Sequence, residues 1–313
     1  MGDSRHEFGG DWTEVKLEAI SAYSKFFTGA IGGIFDLWYV DPFAGTGERT
    51  AKEQAGGLFD QQPLSTIERQ YPGSAARALA LKPPFDHLRF GDAKRRHAKA
   101  LQALVALHPT RDASVIPGDA NHFIQKMFSE PPWTAPDRGA VRSRALVFLD
   151  PYGMEVKWRT LEVLAASKKA DVWFLANLKA AVQQLSHKHG MLTEEKRAAL
   201  CEYFGTPHWE ERFYELHKDE SDLFGNPTNS SRRQATKQEV ALFHKECLGT
   251  IFCYVSNPLP LAVGSIDDYF LLYCLSNNST PAARNLIHKG ADWVIRRYKQ
   301  ASHHRSALRG GGQ

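Results

Sequence analysis

Acidic residues recur where an apolar run gives way to a turn. Asp41 closes the run LWYV and opens the turn Asp41-Pro42-Phe43-Ala44-Gly45-Thr46-Gly47; Asp92 closes HLRFG; Asp119 follows SVIPG; Asp150 closes ALVFL and opens Asp150-Pro151-Tyr152-Gly153. A carboxylate at a strand end accepts hydrogen bonds from a ribose or an amine, and glycine lets the backbone turn tightly and approach a ligand. Each site also has a plain structural reading. Asp92 and Asp119 precede helical patterns, where aspartate caps well, and both glycine-containing turns could be simple connections. Glu68, in LSTIER, competes with Asp92 for the ribose role.

Other chemistries find less support. A P-loop motif is missing, and Thr50 stands where a dinucleotide fingerprint needs its third glycine. No Gly-x-Ser-x-Gly elbow or Ser-His-Asp order stands out. His187-x-His189 and His303-His304 lack spaced carboxylate or cysteine partners, so no metal is expected. The run Lys94-Arg95-Arg96-His97-Ala98-Lys99 is either a solvated helix face or a phosphate-contacting patch, and Arg232-Arg233 and Arg296-Arg297 read the same way.

Elements must hold these residues. Residues 11–27 have apolar positions at helical spacing; 37–47 is a strand and turn; 48–72 reads as an insertion loop. Strands are expected over 86–92, 112–119, 145–153 and 171–178, with helices over 74–81, 94–107 and 158–167 between them. Residues 221–234 form the best linker candidate; 250–256 and 268–276 read as a late antiparallel pair; the end of the chain reads as a frayed tail. Five early strands alternating with helices plus a late pair give an α/β fold: a doubly wound, seven-stranded, mostly parallel Rossmann-like sheet. That pattern fits the class I S-adenosylmethionine (SAM) methyltransferases. The expected organisation is a helical extension at 1–36, a SAM-binding core at 37–179, a helical insertion for substrate recognition at 180–245, a strand pair and helix at 246–300 and a flexible tail at 301–313.

Composition agrees with a globular chain. The 313 residues are 42% hydrophobic and 24% charged, with a net charge of +4, which permits a polyanionic partner without requiring one. No apolar run approaches the roughly 20 residues of a membrane span. The opening MGDSRHEFGGDW has no apolar stretch, and the four cysteines form no CxxC pair, so reduced cysteines and a cytoplasmic location are expected.

The sequence resembles the three-Cys-motif partner (TcmP) family. The resemblance rests on WYVDPFAGTG, GSAARAL with the strand ending at Asp92, VIPGDAN, LVFLDPYGMEVKW, FGTPHW and YFLLYCLSNN, and it spans residues 12–289. Family members usually carry Gly-Pro-Gly in the first turn, where this chain has Gly45-Thr46-Gly47, and often glutamate at the position of Asp92. The resemblance implies a methyltransferase-like fold, SAM as cofactor and a radical-SAM-like partner that bears the three cysteines. On this reading Asp41, Phe43, Ala44, Gly45, Gly47, Asp92, Asp119, Ala120 and Asp150 hold the cofactor. Asp150, Pro151 and Tyr152 are the catalytic set, by analogy with the Asp/Asn-Pro-Pro-aromatic turn of amino-methyltransferases, here with one proline. The expected substrate is a nucleobase or modified nucleotide of a nucleic acid. The alternative is a non-catalytic scaffold or nucleic-acid adaptor for the partner.

Overall fold

Strands that are apolar at every position belong inside a sheet covered on both faces. The computed structural model, which describes residues 11–57, 62–137, 142–214, 233–263 and 266–310, places them there. In chain order the first half holds α1 (Asp11–Ile31), β1 (Asp36–Asp41), β2 (Glu48–Gly57), β3 (Gln62–Pro72), α2 (Ser74–Leu79), β4 (His87–Asp92), α3 (Arg95–Ala106), β5 (Asp112–Pro117), α4 (Ala120–Phe128), β6 (Ser143–Leu149), α5 (Trp158–Ser167) and β7 (Ala170–Asn177). The second half holds α6 (Leu178–Gln184), α7 (Glu194–Phe204), α8 (Trp209–Phe213), α9 (Lys237–Ile251), β8 (Tyr254–Val255), β9 (Leu259–Val263), β10 (Ile266–Ser276) and α10 (Pro281–Gly310).

The central sheet runs β5-β4-β1-β6-β7-β10-β8, with β9 also paired to β10. The first five strands are mutually parallel. β10 runs antiparallel to β7, β8 and β9. This is the doubly wound, mostly parallel sheet with late antiparallel strands that the apolar runs imply. Alternation along each strand feeds two cores. Leu146, Phe148, Trp173 and Leu175 face a cluster with α1 and α10. Val147, Leu149, Val172 and Phe174 face a cluster with α5, α7, α8 and α9. The described helices α7, α8 and α9 therefore pack as one layer of the sheet's cover.

The structure corrects four readings. Residues 48–72 are not a loop: β2 and β3 pair as an antiparallel ribbon. Of 250–256, Thr250 and Ile251 end α9 and only Tyr254 and Val255 are strand. The connection 257–267 carries its own strand, β9, so the late pair is a three-strand unit. The frayed tail is helical as far as Gly310. Most of the 221–234 linker, Arg232, and the side chains of Glu68, His303 and His304 lie outside the described residues.

FGTPHW proves structural. Gly205 caps α7 with φ 72°, and a Cβ there would stand 2.1 Å from the Trp158 indole. Trp209 is fully buried, its indole N–H donating to Cys201 Sγ at 3.4 Å. Gly205→Ala combines left-handed strain with a clash against a rigid ring. It is expected to cost about 2–4 kcal/mol in urea unfolding. A loss below about 1 kcal/mol would show that Trp158 moves aside freely.

His244, on α9, is fully buried and stacks on Tyr203 at 4.7 Å with neither ring nitrogen hydrogen-bonded. Burial lowers its pKa from 6.5 to about 3. The folded protein thus binds fewer protons here than the unfolded chain, and stability from this group is lost as pH falls below 6.5. His244→Leu removes that loss. Its stabilising effect is expected to be about 2 kcal/mol larger near pH 5 than near pH 8. A pH-independent difference between the proteins would contradict a neutral, buried ring.

Candidate active site

Strand order reverses between β1 and β6, and ligands of open α/β sheets bind beyond the carboxyl ends at such a reversal. Asp41 ends β1 and Asp150 follows β6, so the reversal carries two acids. Asp41 is fully buried; Oδ1 accepts from the Phe43 N–H at 3.2 Å, and Oδ2 has no hydrogen-bond partner. Its pKa rises from 3.8 to about 7, chiefly through burial. The Ser74 hydroxyl opposes that rise, the Asp150 charge adds to it, and the Phe43 N–H and Lys16 oppose it further.

Asp150 is not free. Lys16 of α1 donates to both of its oxygens, at 2.7 and 2.6 Å, with the Lys16 side chain only 5% exposed. The ammonium also lies 4.9 Å from the Trp12 ring centroid. Lys16 was invisible to sequence reasoning: one lysine on an amphipathic helix reads as solvated. The Tyr39 hydroxyl is buried without a partner near the same charges, and burial, Asp41 and Asp150 all raise its pKa.

The turn after β1 is built by its glycines. Gly45 and Gly47 have φ of 63° and 77°. A Cβ on Gly47 would stand 2.5 Å from Leu104 of α3, whereas one on Gly45 would meet nothing within 4 Å. The turn is stitched to the next strand ends: the N–H of Ala44, itself buried, donates to Gly91 O at 2.9 Å, and that of Gly118 to Asp92 O at 3.1 Å.

Asp92 is buried, and its Oδ1 accepts from the Lys94 N–H at 2.7 Å while Oδ2 meets His97 Nδ1 at 3.1 Å. Both oxygens retain acceptor capacity for a second donor. Asp119 takes the capping role: it is exposed, and its Oδ1 accepts from the His122 N–H at 2.8 Å to start α4. Ala120 beneath it is buried.

The Asp150-Pro151-Tyr152-Gly153 loop is pinned from two sides. Asn177 at the end of β7 donates to Tyr152 O at 2.6 Å and caps α6 through the Ala180 N–H at 3.0 Å. The Gly153 N–H donates to Glu155 at 2.7 Å. Asn121, next to Ala120, ties α4 to the same loop by donating to Glu155 O at 2.8 Å and accepting from the Lys157 N–H at 2.9 Å. Pro151 is buried, but Tyr152 stands 63% exposed with Lys94 Nζ 5.3 Å from its ring centroid. Partial burial and the charges of Asp92, Asp150 and Glu155 raise the tyrosine's pKa, against the opposing charge of Arg96. Asn177 and Asn121 were missed in the sequence; an Asn between a strand and a helix was the available signal. Lys94, Arg95, Arg96 and Lys99 are all exposed, and Lys94 and Arg96 act on Tyr152. Among the described residues no cluster of His, Cys, Asp and Glu could hold a metal ion. None of the described helices is long and apolar enough to cross a membrane.

No family model matches the sequence, and no curated protein aligns with it. Among solved structures the chain is similar to protein LPL1258 of Legionella pneumophila str. Philadelphia 1, from the family-model DUF519, at 11% identity, 89% and 91% coverage of the two chains and a TM-score of 0.46. It is similar to yhhF, a putative methyltransferase of Escherichia coli, at 13% identity, 82% and 86% coverage and a TM-score of 0.32. The bifunctional kinase-methyltransferase WbdD is matched at 13% identity, with 87% of this chain and 65% of that one covered and a TM-score of 0.31. These are loose likenesses, and the strand order and registers carry the fold assignment.

Proposed function

We propose that the chain is a SAM-dependent methyltransferase. The observation that carries this reading is the buried Asp41 with an unpartnered oxygen, set against an open glycine turn where the strand order reverses. These residues fit the cofactor: Asp41, Phe43, Ala44, Gly45 and Gly47 would receive its amino-acid end, Asp92 the ribose, Asp119 and Ala120 the adenine. SAM, when bound, supplies an electrophilic methyl group. Asp150, Pro151 and Tyr152 would hold the acceptor. The exposed ring of Tyr152 suits stacking on a nucleobase, and the basic face of α3 suits the phosphates of a polynucleotide. The radical-SAM-like three-Cys-motif partner belongs to the proposal through the resemblance alone.

Titration calorimetry with S-adenosylhomocysteine tests the reading. Wild type should bind at micromolar affinity, and Asp92→Ala should lose about 1–3 kcal/mol with the charge-assisted bonds. Wild type that binds neither SAM nor this product would refute it. One feature favours the second reading, a non-catalytic scaffold or nucleic-acid adaptor: Lys16 occupies both oxygens of the residue meant for the acceptor. Cofactor binding without transfer to any substrate would support that alternative.

A further inference from the structure

At the opposite, amino-terminal edge of the sheet, α1 and α10 diverge around a cavity of about 280 Å³. Its walls are apolar, with Phe26, Phe27 and Ile31 from α1, Phe35 from the following turn, and Leu286 and Ile287 from α10. The acid on the lining, Asp171, already has partners. It accepts from the Tyr23 hydroxyl at 2.9 Å and from the Ser276 side chain, and burial raises its pKa to about 6. The walls therefore ask a ligand for no polar group.

The mouth differs. Arg144, Lys169, Asn278 and Thr280 line both this cavity and a wider groove of about 680 Å³ that continues over Arg159 and Lys168. Arg144 and Arg142 lie 4.4 and 5.0 Å from the Phe35 ring. Three acids oppose these five cations, Asp171 among them through the Arg144 charge. Asp137 pairs with Arg144 at 2.7 Å and Lys169 at 2.9 Å, and Glu162 pairs with Arg159 at 3.1 Å. The excess charge is positive. Thr280, Ala282 and Ala283 bring the amino end of α10 to the same cavity, adding the partial positive charge of its first N–H groups.

We propose that this cavity binds an amphipathic anion, with an apolar chain or ring system in the bore and a carboxylate or similar acidic head at the basic mouth. Taking a methylene as about the size of a water in the liquid, ~30 Å³, the bore holds roughly nine of them. Apolar walls with a few convergent polar groups at one end are the usual make-up of a small-molecule site. The site lies at the strand ends remote from Asp41 and Asp150 and is independent of the methyltransferase reading.

The test is calorimetry of the full chain with decanoate, decan-1-ol and decyltrimethylammonium, which share a chain and differ in head. Decanoate is expected to bind at one site, about tenfold tighter or better than either comparator. Ala283→Phe and Leu286→Trp, which fill the bore, should each abolish binding, while Arg144→Gln should remove the preference for the anion. Circular-dichroism melting selects the variants that remain folded, and either bore variant alone suffices. The proposal is overturned if decanoate does not bind at millimolar concentration. It is equally overturned if the alcohol or the ammonium binds as tightly, or if a folded bore variant binds decanoate like wild type.

Discussion

Lys16→Met is expected to lower stability by about 3 kcal/mol near pH 8, a loss that shrinks as the pH falls towards 5. The reason lies in the company Lys16 keeps. Its ammonium is nearly enclosed and touches both oxygens of Asp150, and it also opposes the rise of the Asp41 pKa. Without it two neighbouring acids share a buried site with no cation between them. Asp41 already sits near 7 against an unfolded value of 3.8, so the folded state binds more protons than the unfolded state between those values, and stability falls as pH rises through that window. Removing Lys16 takes away a charge that holds the Asp41 pKa down, and so extends the penalty to higher pH. Below about 3.8 Asp41 is protonated in either state, and its share of the difference disappears. Urea unfolding of the two proteins across this range reads the effect. A difference that does not change with pH would mean that Lys16 contributes only packing.

Asp150→Ala is expected to reduce methyl transfer by about 10²-fold or more, the scale for a misplaced reacting group, while S-adenosylhomocysteine affinity stays within a few fold. The pocket assigned to the cofactor is built on β1, β4 and the glycine turn, all of which keep their own hydrogen bonds without Asp150. Asp150→Asn should be milder if the acceptor is an amine, since the amide oxygen still accepts a hydrogen bond. It should be nearly as damaging if a hydroxyl needs a general base. The readout is mass spectrometry of modified nucleosides from cells carrying each variant, with and without the proposed three-Cys-motif partner. Wild-type levels of modification in both variants would make Asp150 structural and leave its ion pair with Lys16 as its whole role.

The strands and their closing acids were legible because a sheet covered on both faces writes itself as near-continuous apolar runs. β6 and β7 were the clearest cases. The ribbon of β2 and β3 was not, because ERTAKEQAGG and QPLSTIERQYP mix charged, small and apolar residues without a steady alternation. The helical end of α10 reads as a tail in the sequence, although no proline falls between Pro281 and Gly310 to stop the helix. Of the candidate site, Asp41, Asp92, Asp150 and Tyr152 do gather at the carboxyl strand ends. What local sequence could not give was long-range pairing. Lys16 and Asp150 are 134 positions apart, and Asn177 reaches Tyr152 only because the sheet sets β6 beside β7.

The packing of α1 against α10 also fixes the order in which the molecule can be finished. Val15, Ile20, Tyr23 and Phe27 share a core with Ile287, Ala291, Val294 and Ile295. At ribosomal rates of about 5–20 residues per second, α1 waits roughly 15–50 s for that partner to be synthesised. Throughout the wait its aromatic stripe lacks the α10 half of its cover, a natural handle for chaperones and a hazard when they are scarce. Because β10 enters beside β7 only near the end of synthesis, that edge of the sheet also stays open until then. Truncations that remove α10 should therefore disable the opposite end of the molecule, by unroofing the helix that carries Lys16.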